Sequence, residues 1–364
     1  METHDVVLDS VTKRFGQETA VDRLSIEIPR GEYLCMLGPS GCGKTTTLRM
    51  ISGFIKPDEG SIYLGGMLAN DIPVNKRSTS IVFQSLALFP HLSVMKNIEF
   101  GLRMQGVPIA LRRSKVNAMI EQMELTGVAQ RLPEELSQGE KQRTALAKSL
   151  IVEPRVLLLD EPLSNVDTTL KSKILLDLKR LHNNLKLTFI HVTHDPEEAM
   201  ANADRILLMN KGRIEQLDTP TNIFDCPRNR FVAEFFQNSN IISGEVKSVQ
   251  DGVVVVQNEI GIFKTLGRGS ELSIGQPVSI VVRHDKAQIG QGEETVNSLT
   301  GVVVGVDIVG AVITYTLQLS GEDIFKFQTH MSVETQQMEP NSTVSVTWDI
   351  ENSTLLEEIC SMTP

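Results

Sequence analysis

GPSGCGKTT, Gly38 to Thr46, decides how this chain is read. It satisfies the pattern GxxxxGK[ST], follows the apolar run EYLCML (Glu32 to Leu37) and opens a helical pattern, the strand-loop-helix context of a phosphate-binding loop. The loop comprises Gly38, Pro39, Ser40, Gly41, Cys42, Gly43, Lys44, Thr45 and Thr46. Its backbone N–H groups are expected to converge on a β-phosphate, with the helix N-terminus adding a favourable dipole. Lys44 is placed to span the β and γ oxygens of a nucleotide, and Thr45 to offer its hydroxyl to Mg²⁺. Glycines permit the close approach of backbone to phosphate, and Cys42 reads as a small filler whose alkylation would block the site by bulk.

Outward from the loop, the runs TSIVFQ (Thr79 to Gln84), VLLLD (Val156 to Asp160), TFIHV (Thr188 to Val192) and RILLM (Arg205 to Met209) are continuously apolar. Strands covered on both faces lose the in/out alternation, so these read as parallel strands of an α/β sheet. Between TSIVFQ and VLLLD lies a long interval in which Val116, Met119, Ile120 and Met123 recur at helical spacing. A helical insertion is therefore expected at about residues 92–150, with the methionines in its core.

At 364 residues the chain exceeds the usual single-domain size. The formal net charge of -10 argues against an extended nucleic-acid or anionic-membrane surface. Four cysteines, Cys35, Cys42, Cys226 and Cys360, lack CxxC pairing and metal-ligand spacing, and read as free thiols of a reducing compartment. The segment METHDVVLDS has no basic-then-apolar leader pattern, and no apolar run approaches the roughly 18 residues that would span a bilayer. A soluble, cytoplasmic chain is expected, compatible with docking on a membrane protein.

VLLLDE (Val156 to Glu161) ends an apolar strand in two acids. Asp160 is expected to reach Mg²⁺, and Glu161, pointing elsewhere, to polarise the attacking water as general base. Gln84, at a strand end, is a candidate for contact with Mg²⁺ and the water; His194, after TFIHVT, is a candidate to bond the γ-phosphate and orient the water. Phe15, in KRFG, either stacks on adenine or packs in the core. His182 and His191 read as structural.

After about Phe236 the texture changes to β-branched runs such as GEVKSVQDGVVVVQN, PVSIVVRHD and STVSVTWDI, separated by Gly, Asn, Asp and Pro. The division is drawn at residues 1–236, an ATPase domain, and 237–364, a small all-β, OB-like domain.

The phosphate loop at 38, Gln84, LSQGE at 136, VLLLDE at 156, SNVD at 164 and His194 follow the order and approximate spacing of the ATP-binding cassette ATPases. The resemblance covers about residues 5–235 and implies an α/β P-loop NTPase fold, a RecA-like core with antiparallel β and helical subdomains. In that family the serine-glycine segment contacts the γ-phosphate held by the other subunit. By resemblance, then, Ser137, Gln138 and Gly139 serve a homodimer partner's ATP and Asp167 makes a contact at the same seam. The physical reading agrees, because LSQGE opens a helix whose free N–H groups favour an anion and Ser137 can cap it. The sequence departs from the commoner LSGGQ at Gln138, a side chain where glycine is usual, and at Glu140, a negative charge near ATP; an active site of altered affinity is expected.

The last third resembles the β-rich, TOBE-like extension of importer ATPases, with KGRIEQLDTPTNIFDCP and RFVAEFFQNSNIISGEV as the junction. Where many such proteins have an Arg-Pro pair, VVRHDKA has Arg283 and His284. The resemblance implies an ATPase subunit at the cytoplasmic face of the membrane. Its partners would be a second copy, separate permease subunits and, indirectly, an extracytoplasmic solute-binding protein; nucleic acid is not among them. LALFPHLSV (Leu86 to Val94) would line the groove for a permease helix, with exposed Leu88, Phe89 and Leu92 either facing it or packing the helical insertion. The FFQNSN junction leans towards polyamine or ferric iron over sugar as solute. The rival is a non-transport cassette ATPase acting on a soluble macromolecular complex. A sensor role for the β domain would accompany transport.

Overall fold

The computed structural model describes residues 4–163, 168–267, 272–290, 296–321, 323–331 and 338–357. It divides into two compact units, Met1–Pro220 and Thr221–Pro364.

In chain order the first unit contains β1 (His4–Phe15), β2 (Glu18–Pro29), β3 (Tyr33–Leu37), α1 (Lys44–Ser52), β4 (Glu59–Leu64), β5 (Met67–Leu68) and β6 (Thr79–Val82). The helices α2 (Val94–Met104), α3 (Ile109–Gln122) and α4 (Gln138–Leu150) follow, then β7 (Val156–Asp160), α5 (Thr168–Leu185), β8 (Thr188–Val192), α6 (Pro196–Asn202), β9 (Arg205–Asn210) and β10 (Arg213–Asp218). One sheet has the order β10-β9-β3-β8-β7-β6. Its strands β9, β3, β8, β7 and β6 run parallel, with Met36 opposite Val192 and Leu207, Asp160 opposite Val192, and Val82 opposite Leu159. Every residue of β3, β7 and β8 is buried, which is why these strands read as unbroken apolar runs. Because the strands are parallel, their carboxyl ends share one edge, and the loops after Leu37, Val82, Asp160 and Val192 all leave from it.

A second sheet, β2-β1-β4-β5, is antiparallel. Its inner residues Val6, Leu8, Val21 and Ile62 share one core with Leu48 and Ile51 of α1 and with Leu34, Leu158 and Ile190 of the parallel sheet. The interval expected to be helical holds α2, α3 and α4, in which Val116 and Ile120 are buried, and Met123 follows them into the core. Leu88, Phe89 and Leu92, expected to be exposed, are half-buried: Phe89 lies 4.5 Å from Phe100 and beneath the Lys148 ammonium at 4.2 Å.

Arg77, 8% exposed, ties the two layers together. Its guanidinium donates to Ile72 O (2.9 Å), Met50 O (2.8 Å), Ile51 O (2.7 Å) and Ala69 O (2.6 Å), so it satisfies the last carbonyls of α1 and the negative end of that helix dipole. Behind β8, the wholly buried His191 has Tyr33 Oη 3.1 Å from Nδ1 and Glu198 Oε2 3.5 Å from Nε2. Burial pushes the His191 pKa down to about 4 despite the opposing pull of Glu198.

The second unit comprises α7 (Pro220–Asp225), α8 (Arg230–Phe235), β11 (Ser239–Gln250), β12 (Val253–Gln257), β13 (Ile262–Leu266), β14 (Pro277–Arg283), β15 (Gln288–Ile289), β16 (Val296–Val309), β17 (Val312–Gln318), β18 (Ile324–His330), β19 (Thr343–Asp349) and β20 (Ser353–Glu357). Five strands, β11-β12-β13-β20-β14, close a barrel, and the other five form the sheet β15-β19-β16-β17-β18. The two share a core in which Trp348 of β19 stacks on Phe263 of the barrel (5.7 Å) and on Phe325 of the sheet (5.4 Å). Compactness breaks earlier than composition does, because Ala233 of α8 packs on Val281 and Leu356 of the barrel. Arg283 is absorbed structurally: it donates to Phe224 O and Ser239 Oγ, its guanidinium lies 4.0 Å from the Phe224 ring centre, and burial pushes its pKa down to about 10. Neighbouring His284 is buried, which lowers its pKa to about 4.

Replacing Arg77 by Leu removes the guanidinium from four carbonyls, of which Met50 O and Ala69 O keep a backbone donor in the Gly53 and Ile72 N–H groups. The urea midpoint of the first unit is expected to fall by the equivalent of about 3 kcal/mol or more. His191 takes up a proton below about pH 6.5 in the unfolded chain but only near pH 4 in the native one. Between these limits the unfolded state binds more protons, so stability present at neutral pH is lost on acidification, by about 3 kcal/mol at the low end. The urea midpoint should therefore fall more steeply from pH 6.5 to 4 in the parent than in His191→Gln.

Candidate functional site

The segments that follow β3, β6, β7 and β8 each carry candidate groups at the carboxyl edge of the sheet. β3 ends at Leu37 and turns through the loop, two of whose glycines leave no room for a side chain. Gly38 has φ 149°, and a Cβ there would lie 2.3 Å from Met209 O; Gly43 has φ 105°, and its Cβ would lie 2.4 Å from Ala20 O. Pro39, Ser40 and Gly41 are exposed, while Cys42 is buried in the core, so the filler reading holds and the thiol is not presented for alkylation. Cys35 is likewise buried, Cys226 half-buried, both free; Cys360 lies outside the described residues.

Lys44, 5% exposed at the start of α1, turns its ammonium back onto the loop, donating to Gly38 O (2.7 Å) and Pro39 O (2.9 Å). Thr45 Oγ1 donates to Asp160 Oδ1 at 3.1 Å, joining α1 to the end of β7, and Thr46 follows, half-buried. Asp160 is 7% exposed, and burial raises its pKa against the opposing hydroxyl of Thr45. Among the described residues no group of three or more His, Cys, Asp or Glu side chains is arranged to hold a metal.

Glu161 takes a left-handed backbone, φ 46°, while its N–H donates to Val192 O at 3.0 Å. A non-glycine residue in that region stores roughly 1–3 kcal/mol of strain, and such strain clusters at functional sites. Its carboxylate Oε2 lies 3.5 Å from His194 Nδ1. His194 is exposed two residues past β8, and Gln84 is exposed two residues past β6, at the same edge. Phe15, at the end of β1, is 50% exposed, with Lys13 Nζ 5.5 Å from its ring centre; it is not a core residue.

Ser137 caps α4, away from this loop in the chain but within the same unit. Its backbone N–H and hydroxyl both bond Glu140 Oε2, at 2.8 and 2.7 Å, and its Oγ accepts from the Glu140 N–H at 3.4 Å. Gln138 is half-buried and Gly139 buried, its Cα facing Leu170. Asp167 lies outside the described residues.

Two supporting contacts went unread in the sequence. Gln142, 1% exposed on α4, donates to Pro162 O at 3.2 Å, linking the LSQGE helix to the loop that carries Glu161. Lys171 on α5 bonds Asp195 and, at 2.8 Å, Glu198 Oε1, fixing the start of α6 directly after His194. Burial opposes the Lys171 charge, but the two carboxylates outweigh it and raise its pKa. The available signals were a polar residue on the buried face of α4 and a Lys spaced for the acids of HDPEEAM.

The ABC transporter family profile matches residues 21–164 and the TOBE domain profile residues 280–356. The spermidine/putrescine import ATP-binding protein PotA of Rubrobacter xylanophilus is 40% identical over 353 residues, 96% of this chain and 93% of that one. The PotA proteins of Thermobifida fusca (41%, covering 95% and 91%) and Thermotoga maritima (37%, covering 97% and 98%) are similar to it over comparable lengths. Among solved structures, cbiO1 of Clostridium perfringens, part of the ABC transporter complex cbiONQ, superposes with a TM-score of 0.56 at 27% identity, covering 61% of this chain and 91% of that one. A dimeric ATP-binding cassette in a post-hydrolysis state with ADP and phosphate gives 0.53 at 30% identity, covering 59% and 98%. With a phosphate loop, an acid-tipped strand and a capped signature helix in one unit and a barrel in the other, the chain belongs to the ABC transporter ATPases, in the group of import ATP-binding proteins with a C-terminal TOBE domain.

Proposed function

We propose that this chain hydrolyses Mg²⁺-ATP as a homodimer and so drives polyamine import through separate permease subunits. The observation that carries the reading is the convergence at one sheet edge of the Gly38–Thr46 loop, the Thr45–Asp160 pair and the Glu161–His194 pair. Lys44 would exchange its two loop carbonyls for β and γ oxygens, a replacement of neutral acceptors by charged ones that favours nucleotide. Thr45, Asp160 and Gln84 offer oxygen donors only, the set that suits Mg²⁺, with the remaining positions left to phosphate and water. When bound, that ion would neutralise charge developing on the phosphates.

Glu161 would accept a proton from the attacking water as its oxygen bonds to the γ-phosphorus and the bond to the β-bridging oxygen breaks, leaving ADP and phosphate. His194, 3.5 Å from Glu161, would hold the water and a γ-phosphate oxygen in line. Phe15, exposed at the end of β1, is available to stack on adenine. Ser137, Gln138 and Gly139, with Asp167, would complete the partner subunit's pocket; the dimeric cassette found with ADP and phosphate supports that arrangement.

The relatives named for spermidine and putrescine support polyamines as the solute, over ferric iron and sugar. They do not support the rival role on a soluble complex. The same kinship supports a peripheral position on the cytoplasmic face, docked on permease, with an extracytoplasmic binding protein supplying solute. Among the described residues no helix is long and apolar enough to cross a membrane. We assign ATP chemistry to residues 1–236 and regulation of it to residues 237–364.

Glu161→Gln should bind ATP as the parent does while phosphate release slows by about 10²- to 10⁴-fold; rapid turnover by that variant would remove Glu161 from the base role. In cells lacking the gene, spermidine uptake should return with the parent chain and not with Lys44→Ala; restoration of ferric iron uptake alone would refute the polyamine assignment.

A further inference from the structure

The acid at the fifth position of LSQGE is bound to the residue that the proposed function sends to the partner's ATP. A serine hydroxyl has one proton to donate. In this structure that proton goes to Glu140 Oε2 at 2.7 Å, and the same oxygen also takes the Ser137 N–H at 2.8 Å. The Ser137 hydroxyl and N–H hold the Glu140 carboxyl below the usual carboxylate range, with the charges of Arg131 and Arg143 adding to the effect, so it is ionised at neutral pH. Both donors that Ser137 could turn towards an incoming phosphate are thus committed to an anion of its own chain.

We propose that Glu140 is a built-in brake on closure of the ATP-bound dimer: its carboxylate competes with the γ-phosphate for Ser137 and repels that phosphate across the seam. The proposal rests on the reading of Ser137 as a ligand of the partner subunit's ATP. Closure then requires the Ser137 hydroxyl to leave Oε2 and a second anion to approach within a few ångströms of the first. Juxtaposed like charges oppose association by amounts that correspond to tenfold or more in affinity. Glutamine at this position would keep the reciprocal cap, since its amide oxygen accepts the Ser137 N–H in the same way, and would lose the charge. Glu140 is therefore a positioning residue. It sets how much nucleotide energy is needed to close the dimer.

The experiment measures ATP-dependent dimerisation by analytical ultracentrifugation in full-length protein carrying Glu161→Gln, alone and combined with Glu140→Gln or with Ser137→Ala, at low and high sodium chloride. Glu140→Gln is expected to tighten the dimer about 10- to 100-fold at low salt. Raising salt should narrow that gap, because screening weakens repulsion between charges and leaves a neutral amide unaffected. An Glu140→Gln dimer no tighter than the parent, or a gap insensitive to salt, overturns the brake while Ser137 keeps its role, provided Ser137→Ala weakens the dimer. Should Ser137→Ala dimerise as tightly as the parent, or no variant dimerise with ATP, the underlying assignment of Ser137 falls and the brake with it.

Discussion

Parallel pairing is the constraint on which the first unit depends. Backbone groups of β3, β7, β8 and β9 are satisfied by their neighbours along strands that are wholly or largely buried, with β6 paired at the edge, so the chain becomes irregular at the strand ends. All five strands point the same way, and every loop that follows a carboxyl end is delivered to a common rim. Lys44, Gln84, Glu161 and His194 are far apart in the chain and share that rim for this reason alone.

Around the rim, polar contacts do the fine positioning. Thr45 holds Asp160, the strained backbone of Glu161 turns its carboxylate towards His194, and Lys171 pins the acids of α6 that follow that histidine. Gln142 connects the helix opened by Ser137 to Pro162 and so to the Glu161 loop. One buried amide therefore joins the helix capped by Ser137 to the loop that carries Glu161, the residue proposed as general base.

The legible part of this protein is the part dictated by short-range chemistry. Continuous apolar runs announced β3, β7, β8 and β9, and the phosphate loop could be read because glycine is required wherever a Cβ would strike Met209 O or Ala20 O. What escaped were pairings between distant residues. β1 is broken by register shifts and shows no clean alternation, so its pairing with β2 follows only from the family likeness; Arg77 gives no local sign that four carbonyls await it; and Phe89 is half-buried where Phe100 of α2 and Lys148 of α4 meet it. Glu140 was read as a charge near nucleotide, whereas its capping partner, only three residues away, was visible in the S-x-x-E spacing itself.

The barrel of the second unit is sealed by its last strand. β20 pairs with β14 and touches β13, and Trp348, one strand earlier, is stacked between Phe263 and Phe325. The TOBE profile begins at residue 280, after β11, β12 and β13 have already been laid down. The edge of the profile thus falls inside the barrel, whereas the likeness to the PotA proteins runs over 95–97% of the chain and takes in the three strands that precede it. The gap between β13 and β14 is bridged only by β20, so the first three strands gain a closed barrel only when a segment about ninety residues further on pairs with them.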